Sequence, residues 1–464
     1  MRGSNKIHHR PYLPATRLGE LNHPYICRLA PFSDGFELEW LPASDGEHNL
    51  FYCERGKKAY TKVLLESTTV KIENLETETE YEFYIEDNKG LRSNVRLVRT
   101  CETPDGTIVV NYLHPEDKQY EFSGKYLCSP SLVRLEDGTL VAGMDLFGPL
   151  MAQTLTVLFS SKDDGKTWRY LTDLHPFYWG SLFLHKGKLY MMGLTTEYGN
   201  LQLTCSEDGG KTWATPVTLF YGSNVRCETN GGMHRAPMQV VNYNGRLYTT
   251  CEYGCWWKPC THLPSVISID ENDDLMVPEN WYSTGYLPFE GKWKKDAGIQ
   301  GDTIEGNIVI APDGNMYNIM RWKIGEYLKL QVDTENHENP LEYKGIYKAP
   351  TTNSMFRVIP YKGKYLFIAN RQTENAAKVE YFTYRNVLSL YITEDLENFK
   401  FVKDIINYDH VSPKIAGFQY PVVIKEADGI SLMIRSAFNN PNDCHNSNYM
   451  LYTKITDDEL TAGF

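Results

Sequence analysis

The residues that could do chemistry in this chain stand at the ends of apolar, strand-like runs, where a rigid backbone would hold them. Glu305 precedes Gly-Asn and a fully apolar strand, a place where a lone carboxylate has no evident structural duty. Asp145 follows one such run and Glu252 ends another; His234 and Arg235 stand before Ala-Pro, and His445 and Asn448 share a late loop. Arg321 and Arg435 each close an apolar strand. An unpaired buried guanidinium is costly, so carboxylate-paired or ligand-facing roles are expected for both. Asn307, Asn370, Arg371, Gln419 and Tyr420 occupy similar strand-end positions, and Tyr178, Trp179, Trp256 and Trp257 lie in two of the loops. The residue types make two kits. Carboxylates facing each other across a bond can act as acid and as base or nucleophile, from among Asp145, Glu252 and Glu305. Alternatively His234 or His445 can take a proton next to a substrate carboxylate, Arg321 or Arg435 with Gln419 can neutralise that carboxylate, and Tyr420 can protonate the leaving oxygen. Each residue also has a plain reading. Asp145 can cap a turn, His234 can be a satisfied buried histidine, and the four aromatic residues can as readily be core or lid as a sugar platform, with Trp179 and Trp256 the substrate-binding candidates among them.

Positioning these groups requires a repeated β-unit. Ser161-Lys-Asp-Asp-Gly-Lys-Thr-Trp168 is answered by Ser206-Glu-Asp-Gly-Gly-Lys-Thr-Trp213, 45 positions later. In each copy the Asp is expected to bond its own backbone two residues on, the Gly to take a positive φ, and the Trp to tuck under a hairpin. Residues 392–399 read as a decayed third copy. Hairpin units are legible at 131–144, 181–193, 238–252, 307–321, 356–370 and 421–435, each turning on Gly or Asp-Gly chemistry. These six units predict an all-β propeller whose inner strands converge on a central tunnel, with the site at one mouth. A seventh blade, built partly from the preceding linker and the C-terminal strand, is left open.

The S-x-D-x-G-x-T-W boxes resemble the Asp-boxes of sialidase-like (BNR-repeat) β-propellers. They identify the fold, because such boxes sit on outer hairpins away from the active site. The ordered series SPSLVRLEDGTLVAGMDLFGP, MHRAPMQVVNYNGRLY, IEGNIVIAPDGNMYNIMRW, RNVLSLYITEDLENF, GFQYPVV, IRSAF and HNSNY resembles an uncharacterised group of these propellers over about residues 120–455. Its relatives include enzymes that cleave rhamnose–glucuronate linkages. The resemblance implies carbohydrate work at the propeller mouth, carried by His234, Arg235, Glu252, Glu305, Arg321, Gln419, Tyr420, Arg435 and His445. Where true sialidases carry an Arg-Ile-Pro arginine this chain has Cys128-Ser129-Pro130, which points away from sialic acid. Met144 stands where several relatives carry a histidine.

The expected activity is therefore an exo-acting glycoside hydrolase working on an oligosaccharide or glycoside. Its two carboxyl groups would lie roughly 5–5.5 Å apart for retention and 6.5–9.5 Å apart for inversion. A lyase acting beside a uronate is the alternative, and a non-catalytic, lectin-like propeller the third reading. The last explains the aromatic content but not several acids and histidines aimed at one mouth.

Residues 1–22 read as a lead-in and 103–464 as the propeller. Between them, 23–102 show period-two alternation, most clearly Tyr81, Phe83 and Ile85 inward between outward acids. The Leu-x-x-x-Thr-x-Tyr-x-Phe-x-Ile run resembles fibronectin type III domains, which implies a corner hydrogen bond from Tyr81 and a supporting role. A net charge of −12 argues against general nucleic-acid binding. No apolar run reaches a membrane span, and no secretory signal is visible, so a cytoplasmic location with reduced thiols is expected. Cys251, Cys255, Cys260 and His262 crowd together without a standard zinc spacing, and buried free thiols are the better reading. No phosphate loop or dinucleotide fingerprint is present, and neither an organic cofactor nor a metal is expected.

Overall fold

A computed structural model describes residues 21–222, 231–256, 262–291, 293, 295, 303–380 and 383–461. Among these residues the chain is almost entirely β, and no helix is long and apolar enough to cross a membrane.

Two sheets come first. Tyr25–Phe32, Gly35–Leu41 and Thr69–Ile72 form one; Thr61–Leu65, His48–Glu54, Glu80–Asp87 and Arg96–Arg99 form the other. Phe36, Leu38, Trp40, Leu50, Phe83, Ile85 and Val98 pack between them. The alternation of residues 80–87 is realised as a strict inside–outside pattern, with Tyr81, Phe83 and Ile85 buried. The Tyr81 hydroxyl accepts the backbone N–H of Glu76 at 3.1 Å, five residues upstream.

Six further sheets follow. Their innermost strands are Tyr126–Arg134, Tyr178–His185, Gly232–His234, Ile304–Ile310, Arg357–Tyr361 and Gly417–Glu426. Each sheet is antiparallel, and side chains of neighbouring sheets pack in chain order until the last meets the first. The final sheet shows how the ring closes. Its strands Gly417–Glu426, Gly429–Ala437 and Tyr449–Thr456 come from the C-terminal end, and its outermost strand, Ile108–Tyr112, comes from the segment before the first blade. The linker and the C-terminal strand thus complete a sixth sheet; they do not build a seventh. Joining both ends of the ring in one sheet leaves no open seam.

The connectivity separates the two ends of the ring. In each blade the first strand starts, the second ends and the third starts at the same mouth of the ring. The turns between first and second strands, and the box turns between third and fourth, lie at the opposite end. Both boxes are there. Asp163 accepts the Thr167 backbone N–H at 2.9 Å and the Thr167 hydroxyl at 2.6 Å, and Trp168 Nε1 donates to the Gly165 carbonyl at 3.0 Å. The second box repeats these bonds through Asp208, Thr212 and Trp213. The Asp therefore bonds backbone four residues on, where two were expected. The intervening Gly165 (φ +84°) bends the chain far enough for the carboxylate to span the whole turn. Trp168 is fully buried, edge-on to Tyr452 of the closing blade.

The leading sheets dock on the ring's flank. Arg28 donates to the carbonyls of Val110 (2.9 Å) and Val109 (3.1 Å), and Glu39 accepts the Tyr170 N–H at 2.8 Å. Arg96 is fully buried against Asp117, at 2.6 Å.

Candidate active site

Four of the six inner strands begin with the same irregularity. Ser129, Trp179, Glu305 and Tyr420 have φ of 49°, 50°, 61° and 56°, the left-handed region that a side chain ordinarily avoids. At each, two residues stand opposite one on the neighbouring strand: 129–130, 179–180, 305–306 and 420–421. These are β-bulges, and the residue after each left-handed position is Pro or Gly. At Gly306 the reason is a close approach, since a Cβ there would lie 1.9 Å from Asn318 Oδ1. A non-glycine in this conformation costs on the order of 1–3 kcal/mol, and such strain concentrates where a side chain must be aimed.

On the fourth to sixth blades the bulges aim Glu305 and Tyr420 at one another. The Tyr420 hydroxyl donates to Glu305 Oε1, and Arg321 Nη1 donates to Glu305 Oε2 at 2.9 Å. Asn353 Oδ1 holds Arg321 from the other side, at 2.6 and 3.0 Å. Burial alone would raise the Glu305 pKa, but the Arg321 charge, the hydrogen bonds from Tyr420 and Arg321, and the field of His234 together hold it below the ordinary carboxylate value. Burial and the Glu305 charge push Tyr420 up to about 12, despite three guanidiniums nearby. Two of these, Arg385 and Arg435, lie 5.7 and 5.2 Å from the centre of the Tyr420 ring. Arg385 donates to Thr383 Oγ1, Gln419 Oε1 and the Asn353 carbonyl; Arg435 donates to Ser447 Oγ and the His445 carbonyl. All five acceptors are neutral, so this side carries positive charge without compensation. His445, edge-on to Phe147, is held well below its ordinary pKa by burial and by Arg435 and Arg385, and is neutral at neutral pH.

On the second and third blades the wall is aromatic. His234 Nδ1 lies 2.8 Å from Glu252 Oε2, both groups nearly inaccessible. The His234 ring meets Trp179 at 4.4 Å, His262 at 4.7 Å and Trp256 at 5.5 Å. Tyr198 reaches His262 Nε2 at 3.1 Å. Burial raises the Glu252 pKa; His234 pulls it back in part, and the Glu305 charge adds to the rise. The two carboxyl groups thus sit in each other's field on adjacent blades, displaced in opposite directions.

Asp145 lies behind this wall, fully buried. It accepts the Thr156 hydroxyl and the Gly180 N–H at 3.2 Å, which anchors the Trp179 bulge. Burial outweighs those bonds and raises its pKa to about 7.

The remaining expected site residues are engaged in bonds between blades or within one. Arg235 is fully buried and donates to Ser181 Oγ (2.6 Å), the Met238 carbonyl (2.7 Å) and Thr249 Oγ1 (3.0 Å). Asn307 Nδ2 reaches the Phe356 carbonyl, and Asn307 Oδ1 takes the Val358 N–H. Asn370 bonds the Phe418 carbonyl across to the next blade at 2.7 Å. Asn448 ties the Phe438 carbonyl at 2.9 Å, and Arg371 makes a two-pronged bond to Asp404. Gln419 positions Arg385 and also donates to the Cys444 carbonyl at 2.6 Å. Cys251 is a buried free thiol and Cys255 is buried, while Trp257 and Cys260 lie outside the described residues.

Arg385, Asn353, Tyr198 and Ser129 went unread in the sequence. Arg385 precedes the third strand of its blade, Val387–Thr393, outside the hairpin unit legible at 356–370. The bulges did leave a signal: a side-chain residue followed by Pro or Gly at the start of an inner strand.

Neither the protein-family models nor the curated proteins contain a match to this chain. Solved structures do resemble it. The GH93 α-L-arabinofuranosidase of Fusarium graminearum, in complex with arabinobiose, matches with a TM-score of 0.50 at 12% identity, over 76% of this chain and 99% of that one. A Hadza microbial sialidase matches with a TM-score of 0.50 at 11% identity, over 97% and 99%. A Dyadobacter fermentans protein of unknown function matches with a TM-score of 0.51 at 13% identity, over 76% and 98%. At these identities the likeness establishes the fold, a β-propeller of the kind that sialidases and arabinofuranosidases share.

Proposed function

We propose that the protein is a glycoside hydrolase acting at the end of an oligosaccharide, with its site in the propeller mouth. The observation that carries this reading is the pair Glu252 and Glu305. Two carboxyl groups whose surroundings push their pKa values apart are suited to act as proton donor and as ionised partner. Glu305, kept ionised by Arg321, is the base or nucleophile, with Tyr420 bonded to it and able to share in attack on the anomeric carbon. Glu252, raised by burial and backed by His234, donates the proton to the leaving oxygen. Ala236, Met238 and Met355 pack against Tyr420 and support it from the ring's interior.

The uncompensated Arg385 and Arg435 favour a substrate bearing a carboxylate, such as a uronate. The neighbouring propellers that act on sugars support carbohydrate as the substrate class. A uronate lyase is the second reading, favoured by His445, which is held neutral beside Arg435 and Tyr420. The strand order of the two leading sheets and the Tyr81 corner bond favour a fibronectin type III-like module over 23–102, serving as a support beside a propeller over 103–464.

Incubation with uronate-containing and neutral oligosaccharides, read by product mass and ultraviolet absorbance, tests the reading. Products heavier in sum by one water support hydrolysis. An absorbing product, with product masses that sum to that of the substrate, establishes elimination and overturns it.

A further inference from the structure

The arginine side of the mouth accounts for one end of a substrate; the aromatic side has no assigned role. Trp256 is 42% exposed, the most exposed tryptophan among the described residues. Yet it is not free to turn. Its indole N–H donates to Glu197 Oε1 at 3.1 Å; Glu197 Oε2 accepts from Gln153 at 2.9 Å, and Gln153 Oε1 accepts from Tyr178 at 2.6 Å. A buried polar chain running back to the first blade therefore fixes the ring. His262 (4.8 Å) and His234 (5.5 Å) stand edge-on to it. Left to itself, an exposed indole would gain by collapsing onto apolar surface. Holding it outward by a buried carboxylate forgoes that gain and presents a flat π face beside the carboxyl pair.

We infer that Trp256, its ring set against His234, His262 and Tyr198, is a platform for an uncharged pyranose ring. The apolar C–H face of a sugar, weakly positive, suits the negative face of an indole, whereas a carboxylate over that face is repelled. The substrate then spans two subsites: a neutral sugar on the second and third blades, and a carboxylate-bearing sugar on the fourth to sixth. The bond between them lies above Glu252 and Glu305. This assignment rests on the hydrolase reading for the position of the bond but not for the two subsites themselves.

Binding tests it without turnover. Ligand-observed NMR on Glu305→Gln protein is run with methyl glucoside and methyl rhamnoside as neutral probes and with glucuronate as the anionic one. Trp256→Ala is expected to weaken the neutral probes about three- to tenfold, the stacking worth of an aromatic face. Glucuronate should change by less than about twofold on the same scale. Trp256→Phe, which keeps a face and loses the N–H, should recover part of the neutral-probe affinity. In unsubstituted protein, saturation of aromatic protons should transfer more strongly to the neutral probes than to glucuronate, a readout independent of how the variants fold. Equal weakening of both probe classes by Trp256→Ala, or no binding of either neutral probe to unsubstituted protein, overturns the inference. Absence of hydrolysis with this selectivity intact sinks the hydrolase reading alone.

Discussion

The two sides of the mouth use the same strand positions to bury opposite kinds of group. On the fourth to sixth blades, guanidiniums crowd a tyrosine; Arg321 is paired with Glu305, and the other two meet only neutral oxygens. On the second and third blades, rings pack against rings, and Glu252 among them is held by a histidine. The difference in surroundings appears in the two glutamates. Equally buried, they are displaced in opposite directions, because one has a permanent cation at 2.9 Å and the other a titratable partner. A propeller can therefore assign different chemistry to equivalent positions by changing what the next blade presents.

Several variants would break or sharpen this contrast. Glu305→Gln should lower kcat by about a thousandfold or more while leaving substrate binding within a few-fold, as steady-state kinetics and calorimetry would read. Arg385→Ala removes a charge from the cationic side only. It should weaken uronate affinity by about ten- to a hundredfold, the worth of a charge-assisted bond, and leave neutral sugars unchanged. His234→Ala acts on the other side. His234 lowers the Glu252 pKa, so its loss raises that pKa further and should move the alkaline limb of the kcat/KM profile to higher pH. An alkaline limb that stays in place would show that Glu252 is not the acid.

Asp145 offers a test by stability. Its folded pKa of about 7 lies above the ordinary 3.8, so the folded state holds the proton more tightly. That contribution is fully present at about pH 4 and is lost as pH rises to about 7, by up to roughly 4 kcal/mol at 1.36 kcal/mol for each pH unit. Asp145→Asn should flatten the fall in Tm across that window. Smallest in its effect on activity, Asp163→Ala at the far end should cost about 1–3 kcal/mol of stability and leave kcat/KM unchanged. A loss of activity without a loss of stability would mean that the two ends are coupled.

The fold was legible from local signals. The two box turns, the six Gly-bearing hairpins and the period-two run ending in Ile85 each depend on residues close in sequence, so each could be read in isolation. Glu305, Tyr420, Glu252, His234, Arg321 and Arg435 were found because strand ends at one mouth are a consequence of connectivity. Arg235, Asn307, Asn370, Arg371 and Asn448 passed the same filter, yet their bonds run to neighbouring blades or strands. Strand-end position does not say whether a polar group faces the axis or an adjoining sheet. The role of Cys128-Ser129-Pro130 was also hidden. Read as a missing arginine, it is one of four bulges, and Ser129 is the left-handed residue in it.

By itself, then, the sequence determined the sheet units, their turns and which end of each carries the strand-end polar side chains, because these follow from hydrogen bonds within a few residues. Only the tertiary structure decided which blade neighbours which group. Closure through residues 108–112, the meeting of Tyr420 with Glu305 across 115 positions and the grouping of Arg385 with Arg435 all join residues far apart in the chain. The opposite displacement of the two glutamates is decided at that level as well. A carboxyl group's pKa is set by the charge and burial around it in space, and neither is a property of the residues beside it in the chain.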